Sequence, residues 1–589
     1  MATDFLEESM RCHLYKVGRR QKDFEYVLPE VIVRGYVEDL PWQGTWQGKQ
    51  LEALKSYAKA RESKDLMVVC EPQNMETHTR LEGFGLAYGS DWLWGEDCFS
   101  ILDRNTWAGQ HRGKPVWIWG TGQMAELVWE RTSDFYAIQG FLDNHKNKEE
   151  LHGLPVLSPQ QCQEWRSKRI IVATYQYEPV REQLLSFGLG EVEDFIFFKL
   201  ALPVSGYMLE AWRDDASYGL ECYSMLNNLD YSAGDCYPCC TTFMVTDIGS
   251  TLFQSFDQIW NGKLHRILCM TTLNRTYTFC RKDICPALVN KMPTACKEAY
   301  TEHRYPEIRK HPQVSNLCFD YSCNLYCESC RSHTLVAQGR DRDKIEKFKE
   351  TALREIVPYV DFLTMAGNGE VFLSCAYREI WSGDASKNCR YFQILSNGNL
   401  LTEDKWRALT ENRKSELLCC ISIDAATEST YKKLRRGGDW KQLQKNMEFL
   451  SARRKEGKLH YLRMNFVVQR ANYKEMPGFV AWAKRLGADR VLFTKILNWG
   501  TYTADEFNEI SMVDANGMPN QEMQEVLKDS LCHDEIVDIG TFLGEHKYRD
   551  TDFVGSYYLW EIDNYSGLHV SENILCRCND NGVKNSCHE

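Results

Sequence analysis

Three cysteines stand within eight residues in Cys323-Asn324-Leu325-Tyr326-Cys327-Glu328-Ser329-Cys330. The Cys-x3-Cys-x2-Cys spacing puts three thiolates on one tight loop, where they can ligate three irons of a [4Fe–4S] cube. The fourth iron then keeps an open position, as a catalytic metal site requires. A three-cysteine loop could equally be half of a zinc site, so the surrounding sequence has to distinguish the two.

Downstream of this loop, strand-like apolar runs alternate with helical patterns. One helical pattern places Trp440, Leu443, Met447 and Leu450 on a single face. Such alternation predicts parallel strands joined by crossover helices. The predicted strands number six and give a partial (β/α)6 barrel; they lie at residues 315–322, 361–365, 391–395, 418–423, 463–468 and 490–494.

Polar residues follow these strands at the ends where parallel barrels carry their chemistry. The candidates are Gly367, Asn368, Gly369, Glu370, Asn397, Ser422, Asp424 and Arg435. The glycines let backbone approach a ligand, and Glu370 can accept a hydrogen bond from an ammonium group. Arg435 can hold a carboxylate through two hydrogen bonds. Taken singly, Ser422, Asp424 and Asn397 are more typical of helix caps and turns.

The order of these motifs resembles the radical SAM superfamily over residues 312–500. The resemblance implies a [4Fe–4S] cluster on Cys323, Cys327 and Cys330 whose open iron binds the amino and carboxylate groups of S-adenosylmethionine. It also implies three sets of contacts to this cofactor: Gly367, Asn368, Gly369 and Glu370 to the amino group, Ser422 and Arg435 to the carboxylate, and Asn397 and Asp424 near the ribose. Many relatives carry an aromatic residue just before the third cysteine, whereas this sequence has Ser329 there and an aromatic residue at Tyr326.

The chemistry implied by the resemblance is reductive cleavage of S-adenosylmethionine to a 5′-deoxyadenosyl radical, which removes hydrogen from an unactivated carbon. A flavodoxin- or ferredoxin-type protein is the expected electron donor. The outcome is an oxidation, an epimerisation by hydrogen return, or formation of a carbon–sulfur or carbon–carbon bond. Epimerisation requires a hydrogen donor facing the radical, and the candidate catalytic residues are Cys318 and Tyr321 on the first strand.

A second group of cysteines precedes the predicted barrel. Seven cysteines lie between Cys222 and Cys285, which is typical of a metal site in a chain whose other features indicate a reducing compartment. Four of them form a possible closed site for an iron–sulfur cluster or a structural zinc: Cys222, Cys239, Cys280 and Cys285. The pattern resembles the SPASM domain, which implies one auxiliary [4Fe–4S] cluster on these four residues, with Cys236, Cys240 and Cys269 as alternates. Here the domain comes before the barrel, whereas in most relatives it follows.

Residues 113–200 predict a small Rossmann-like domain. A strand at 114–119 runs into a G-x-G-x-x-A turn with Gly120 and Gly122, and a second strand ends in Asp143. The glycines allow close approach to a phosphate at a helix N-terminus, and the acid can accept from a ribose hydroxyl. The alternative is an α/β domain without a ligand. Through Gly140-Phe141-Leu142-Asp143-Asn144 and His152-Gly153-Leu154-Pro155-Val156-Leu157, this domain resembles the N-terminal domain of bacterial nucleotide-sugar acyltransferases, which implies a sugar nucleotide.

Composition indicates a folded, multidomain protein. The 589 residues are 43% hydrophobic and 26% charged, which excludes wholesale disorder. The net charge of -12 argues against a nucleic-acid partner, and no apolar run is long enough to span a membrane. We expect a cytoplasmic protein with five regions: residues 1–112 of unknown role, a Rossmann-like domain at 113–200, a SPASM-like domain at 201–305, the radical SAM partial barrel at 306–505 and a C-terminal extension at 506–589.

The sequence thus predicts a radical SAM enzyme, an oxidoreductase or epimerase, acting on a sugar or nucleotide-linked sugar. Two alternatives stay open. One is a maturase that modifies a ribosomally made peptide, for which residues 1–112 are the place left for peptide docking. The other is a non-catalytic iron–sulfur or nucleotide-binding scaffold.

Overall fold

The computed structural model describes residues 10–539, except residues 42, 62–64, 163–164, 166–167, 175–176, 219–221, 223, 242, 245, 283–284, 286–287, 289–304, 366–368, 499–500 and 515–516. Gly367 and Asn368 therefore lie outside the described residues, as do the last fifty residues of the predicted C-terminal extension. The chain folds into two compact units. Unit 1 comprises residues 1–217, 266–278 and 295–305, and unit 2 comprises residues 218–265, 279–294 and 306–589.

Unit 1 begins with an α/β sheet that sequence patterns alone did not define. In the described chain its strand order is β3-β4-β2-β1-β5-β6, and every neighbouring pair is parallel except the β3–β4 hairpin. Buried aromatic and aliphatic side chains, Tyr15, Leu54, Leu81 and Trp92 among them, form its core. The elements are β1 Arg11–Tyr15, α1 Arg19–Val27, β2 Ile32–Glu38, β3 Thr45–Trp46, β4 Lys49–Ala53, α2 Leu54–Lys59, β5 Leu66–Val69, α3 Met75–Gly83, β6 Trp92–Trp94 and α4 Trp107–His111.

A second sheet follows with the same topology. Its order is β9-β10-β8-β7-β11-β12, again parallel apart from the hairpin β9–β10. The elements are β7 Pro115–Trp119, α5 Gln123–Thr132, β8 Ala137–Leu142, β9 Glu150–Leu151, β10 Leu154–Leu157, β11 Ile170–Val172, α6 Tyr177–Ser186, β12 Phe195–Phe197, α7 Phe198–Ala201 and α8 Val204–Arg213. Replacing each strand number n of the first sheet by n + 6 reproduces the second, so unit 1 contains two structural repeats.

The two repeats agree residue by residue. In each, the register between the first two strands shifts by one residue, so that His13 pairs with Gly35 and Trp117 pairs with Gly140. The turns after α3 and α6 also share one backbone hydrogen bond. Leu86 N–H donates to the Leu81 carbonyl in the first repeat, and Leu189 N–H donates to the Leu184 carbonyl in the second. Residues 67–94 therefore correspond to residues 170–197 with a constant offset of 103 positions.

Unit 2 is built on a sheet whose described strands run in the order β15-β14-β13-β16-β17-β18-β19-β20-β21-β22. The pairs from β16 to β22 are all parallel, and β16 to β21 are adjacent in chain order. Strand β13 pairs parallel to β16, and β14 and β15 extend the sheet antiparallel. The strands are β13 Asn228–Ser232, β14 Asp235–Tyr237, β15 Gly249–Ser250, β16 Val314–Leu317, β17 Phe362–Met365, β18 Tyr391–Ser396, β19 Glu416–Ser422, β20 Tyr461–Val468, β21 Arg490–Lys495 and β22 Val537–Asp538.

Helices connect the parallel strands, because each crossover between parallel neighbours must return over the sheet. The predicted apolar stripe of residues 440–450 is confirmed, since Trp440, Leu443, Met447 and Leu450 are all buried in one helix. The remaining helices of the described chain are α9 Ser224–Asn227, α10 Phe256–Trp260, α11 Lys263–Leu273, α12 Arg340–Thr351, α13 Cys375–Ser382, α14 Glu403–Thr410, α15 Glu428–Leu434, α16 Trp440–Lys455, α17 Met476–Leu486, α18 Ala504–Ile510 and α19 Gln521–Val526.

Two sequence-based elements need correction. The spacing of Leu51, Leu54, Tyr57 and Ala58 predicts a helix over residues 50–58. This prediction is wrong in its first half, because Lys49–Ala53 pairs with β2 as strand β4 and only Leu54–Lys59 is helical. The strand expected over residues 315–322 is shorter. It ends at Leu317, after which the chain leaves the sheet towards the cysteine loop. None of the helices in the described residues is both long and apolar enough to cross a bilayer.

Candidate functional site

A cavity of about 310 Å³ opens at the carboxyl ends of the parallel strands in unit 2. Every described residue that the sequence places on the principal cluster or on S-adenosylmethionine lines this cavity. They are Cys323, Cys327, Cys330, Gly369, Glu370, Asn397, Ser422, Asp424 and Arg435. The volume is at the lower end of the range for small-molecule sites. Residues far apart in the sequence thus meet at one edge of the sheet.

The cysteine loop is held from two sides by backbone hydrogen bonds. Cys323 N–H donates to the Leu335 carbonyl, while Tyr326 and Glu328 N–H groups donate to carbonyls of Arg436 and Leu434. Gly369 also packs closely against the start of the loop. A Cβ atom on Gly369 would lie 2.4 Å from the Asp320 carbonyl oxygen, so only glycine allows this approach.

Each thiol of the loop accepts from an N–H group. Cys323 Sγ lies 3.4 Å from Leu325 N and 4.0 Å from Asn397 Nδ2. Cys327 Sγ lies 3.7 Å from Arg435 Nη1, and Cys330 Sγ lies 3.4 Å from Arg331 Nε. Burial raises the pKa of the Cys327 thiol, and Arg435 opposes this rise. Donors that point at sulfur suit a thiolate-ligated cluster, whose properties depend on such hydrogen bonds.

Glu370 presents a buried carboxylate to the cavity. One oxygen accepts from Ser396 Oγ at 2.8 Å, and the other accepts from Asn397 N at 2.8 Å. Burial raises the pKa of Glu370, although these hydrogen bonds oppose the rise. A buried anion of this kind gains free energy from a cationic ligand, because the ligand replaces part of the lost hydration.

Asp424 and Arg435 form a buried ion pair beside Cys327. Arg435 Nη2 lies 2.6 Å from Asp424 Oδ2, and the two side chains are 13% and 9% exposed. Asp424 adopts φ +62°, and its other carboxylate oxygen accepts from Val467 N. Burial alone would lower the pKa of Arg435, but Asp424 and Cys327 hold it above its ordinary value. Arg435 Nε is buried without a hydrogen-bond partner within the described part of the chain, so this guanidinium can still donate to a ligand anion.

The four upstream cysteines of the predicted auxiliary site also lie near one another. Burial raises the pKa of Cys239 well above its ordinary value, and the neighbouring thiols of Cys222, Cys240, Cys285 and Cys280 raise it further. Cys280 pairs with Met244 through an isolated bridge. Across the described residues, no group of three or more His, Cys, Asp or Glu side chains converges on a point where one ion would bind.

The two candidate hydrogen donors have different surroundings. Cys318 is buried, and its Sγ lies 2.9 Å from Oδ1 of the buried Asp230 on β13. Burial raises the pKa of Cys318 well above its ordinary value, as does Asp230. The Tyr321 hydroxyl instead donates to Asp341 Oδ2 at 2.7 Å, and burial and Asp341 raise its pKa to about 12. Neither residue is among the described residues that line the cavity.

The predicted nucleotide-binding residues lie in the second repeat of unit 1. Gly120 has φ +124°, and a Cβ atom there would lie 2.7 Å from the Ala173 carbonyl oxygen. Gly122 precedes α5, and Thr121 Oγ1 donates to Asp143 Oδ2 at 2.6 Å. The first repeat has the same link, since Val17 N donates to Glu38 Oε1 at 2.6 Å. The acid at the end of the second strand therefore ties down the turn after the first strand in both repeats.

Sequence reasoning missed Arg331 and Asp230. Arg331 is fixed by a 2.7 Å hydrogen bond from Nη1 to the Tyr321 carbonyl, which places Nε on Cys330. A cation next to the third cysteine was the available signal. Nothing in the sequence linked Asp230 to Cys318, because they lie 88 residues apart and meet only through the pairing of β13 with β16.

No family model and no curated protein matches the chain. Several solved structures are similar to it. SuiB of Streptococcus suis bound to precursor peptide SuiA shares 14% identity over 38% of this chain and 48% of that chain, with a TM-score of 0.28. Native anSMEcpe with bound AdoMet shares 21% identity over 30% of this chain and 50% of that chain, with a TM-score of 0.24.

The radical S-adenosylmethionine methyltransferase TsrM of Kitasatospora setae, with cobalamin and a [4Fe–4S] cluster bound, shares 10% identity over 97% of this chain and 99% of that chain, with a TM-score of 0.31. The chain thus spans about half the length of SuiB and anSMEcpe. All these TM-scores lie below 0.5.

Proposed function

We propose that this protein is a radical SAM enzyme built on a partial barrel. The observation that carries the proposal is the single cavity in which three loop thiols meet Gly369, Glu370, Asn397, Ser422, Asp424 and Arg435. Parallel strands adjacent in chain order, with the candidate residues at their carboxyl ends, are the arrangement that such a barrel requires.

The residues present fit a [4Fe–4S] cluster with S-adenosylmethionine. Cys323, Cys327 and Cys330 would hold three irons, and their N–H donors compensate thiolate charge. Glu370 would bind the cofactor's ammonium group, and the unpartnered Nε of Arg435 would donate to its carboxylate. When bound, the reduced cluster supplies the electron that cleaves S-adenosylmethionine to a 5′-deoxyadenosyl radical.

The chain's own residues orient the cofactor and exclude water. Asp424 fixes Arg435, while Ser396 and the Asn397 amide fix Glu370. Both ionic groups are therefore positioned before the cofactor binds, which lowers the entropic cost of binding. A buried setting also limits quenching by solvent.

We further propose that the reaction is an oxidation or an epimerisation. Cys222, Cys239, Cys280 and Cys285 would hold the auxiliary [4Fe–4S] cluster, and a flavodoxin- or ferredoxin-type protein would supply electrons. Cys318 is the better candidate hydrogen donor, because burial and the Asp230 carboxylate at 2.9 Å raise the pKa of its thiol and so keep the S–H hydrogen on the sulfur. Tyr321, whose hydroxyl is bonded to Asp341, is the weaker candidate.

Cofactor cleavage tests the core of the proposal. Anaerobically reconstituted protein with dithionite and S-adenosylmethionine should release 5′-deoxyadenosine, and Cys327→Ala should abolish the release. Cys375→Ala, which changes an exposed cysteine on α13, is the matched control and should behave as wild type. Wild-type protein that holds a reducible cluster but forms no 5′-deoxyadenosine would leave only the scaffold alternative.

We propose a sugar or nucleotide-linked sugar as substrate, supported by the Gly120–Gly122 turn and Asp143 in the second repeat. Calorimetric titration of the full chain with UDP-N-acetylglucosamine should detect binding. Asp143→Asn should weaken it about tenfold, the value of one hydrogen bond to a charged group. Asp134→Asn, an exposed change in the same repeat, should not. Absence of binding, together with modification of a peptide substrate, would replace this proposal by the peptide maturase.

A further inference from the structure

Two arginines contact the sulfur atoms of the cysteine loop. Arg435 Nη1 lies 3.7 Å from Cys327 Sγ, and Arg331 Nε lies 3.4 Å from Cys330 Sγ. Cys323 differs, since its sulfur is approached by the neutral N–H donors of Leu325 and Asn397. Two of the three sulfur atoms, those of Cys327 and Cys330, therefore accept a hydrogen bond from a positively charged group.

Both guanidinium groups are held in place by other contacts. Arg435 is fixed through Nη2 by Asp424 at 2.6 Å, and its side chain is only 13% exposed. Arg331 is fixed through Nη1 by the Tyr321 carbonyl at 2.7 Å and is half-buried. Because these anchors use other nitrogens, the nitrogen on each sulfur stays aligned without support from a bound cofactor.

We propose that Arg435 and Arg331 are positioning residues that raise the reduction potential of the cluster on Cys323, Cys327 and Cys330. Reduction adds one negative charge to the cluster, and a nearby cation or N–H donor stabilises the reduced form more than the oxidised form. The effect of Arg435 should be the larger, because its charge is less screened by water. This inference rests on the proposed function and adds to it a role that is independent of S-adenosylmethionine.

Asp424 has a defined part in this arrangement. Its carboxylate offsets some of the positive charge of Arg435, yet it also holds the guanidinium against Cys327. The ion pair therefore points an N–H group of Arg435 at the Cys327 sulfur, while Asp424 neutralises part of the arginine charge. A lysine at position 435 would keep the charge and lose the second directed donor, so it should restore only part of the potential.

The test is a redox titration of the reconstituted full chain by electron paramagnetic resonance, without S-adenosylmethionine. At a fixed potential, Arg435→Gln should lower the ratio of reduced to oxidised cluster about tenfold, or about 59 mV for one electron. Arg331→Gln should lower it about two- to threefold, and Arg435→Lys should fall between Arg435→Gln and wild type. Arg436→Gln is the matched control, because Arg436 is 42% exposed and pairs with Glu328.

The outcomes separate this inference from the proposed function. A wild-type protein without a reducible [4Fe–4S] cluster would refute the proposed function. A normal cluster whose midpoint is the same in wild type, Arg435→Gln, Arg331→Gln and Arg436→Gln would overturn only the role of the arginines. If Arg435→Gln cannot assemble the cluster, Arg331→Gln carries the test, and an unshifted midpoint in that variant overturns the inference.

Discussion

Glu370 shows how one buried side chain can serve binding at the expense of stability. Its side chain is buried, with 1% exposed, and within the described part of the chain no cation hydrogen-bonds to its carboxylate. Burial raises its pKa, so ionising this group costs free energy in the folded protein. The carboxylate is nevertheless the group that can bind an ammonium ion from the cofactor.

We therefore expect Glu370→Gln to change binding and stability in opposite directions. The affinity for S-adenosylmethionine should fall about 10- to 100-fold, the value of a hydrogen bond between charged groups. The free energy of unfolding at pH 7 should rise, because glutamine has no charge to bury. Calorimetric titration of the reconstituted protein and urea unfolding measure the two quantities.

The raised pKa of Glu370 also predicts how the free energy of unfolding changes with pH. Ionising Glu370 costs free energy only in the folded state, so the free energy of unfolding should fall as pH rises from the ordinary pKa of 4.5 to the raised one. Glu370→Gln should lack this slope, while the exposed change Glu403→Gln should retain it. A variant with wild-type affinity for the cofactor would show that Glu370 does not bind it.

Much of the candidate site could be predicted at this scale. Cysteine spacing and the polar residues after each strand identified nine residues that the structure brings to one cavity. The ion pair of Asp424 with Arg435 could not be predicted, because it depends on the φ of +62° at Asp424. Sequence patterns report residue types at strand ends, but they do not report which side chains will meet.

At the scale of elements, the glycines at the register shift are the most informative pair. Gly35 and Gly140 occupy the same place in the two repeats, and each lies against an aromatic side chain. A Cβ atom would approach His13 Cδ2 to 3.0 Å in the first repeat and Trp117 Cζ3 to 2.6 Å in the second. At Gly140 an added methyl group would clash, and at Gly35 the His13 ring would have to move by a few tenths of an ångström.

We expect Gly35→Ala and Gly140→Ala each to destabilise its own sheet by about 1–3 kcal/mol, because overpacking forces the aromatic ring or the strand to move. The tighter approach at Gly140 should make that variant the more damaging. Hydrogen exchange of the two sheets measures the effect. Gly83→Ala is the control, since nothing lies within 4 Å of the added methyl group. Equal protection in all three variants would contradict the prediction.

Element prediction succeeded where side-chain periodicity was strong and failed where pairing decided the structure. The stripe of Trp440 to Leu450 gave its helix, but Lys49–Ala53 is a strand only because β2 offers a parallel partner. The repeat of residues 10–94 was missed because its equivalence to residues 115–197 lies in strand order and register. The sequence did carry one signal, since Leu81 and Phe84-Gly85-Leu86 recur as Leu184 and Phe187-Gly188-Leu189.

At the scale of the whole molecule, Asp23 ties distant parts of unit 1 together. This buried residue of α1 accepts from Asn274 Nδ2 and from the Tyr305 hydroxyl, both at 3.0 Å. Burial raises its pKa to about 6, although Arg19, Asn274 and Tyr305 oppose the rise. Segments 251 and 282 residues away thus converge on one carboxyl group.

The stability of unit 1 should consequently depend on pH. The unfolded chain loses the Asp23 proton near pH 3.8, whereas the folded unit keeps it to about pH 6. The free energy of unfolding should therefore fall as pH rises between these values, by roughly 3 kcal/mol at 1.36 kcal/mol per pH unit. Hydrogen exchange of α1 measures this slope. Asp23→Asn should remove the slope, Asp134→Asn should preserve it, and a flat profile in wild type would contradict the prediction.

Because unit 1 contains two repeats of the same topology, the effect of a substitution in one repeat can be compared with its effect at the corresponding position of the other. In the first repeat, Arg80 of α3 forms an ion pair with Asp39, which follows β2. At the corresponding position of the second repeat, Gln183 of α6 exchanges hydrogen bonds with Asn144, which follows β8. Exchanging these two pairs between the repeats would compare the contribution of a charged pair with that of a neutral pair to stability, within one protein and under one set of conditions. Because each copy already carries one of the two pairs, the two reciprocal exchanges are enough to close a double-mutant cycle.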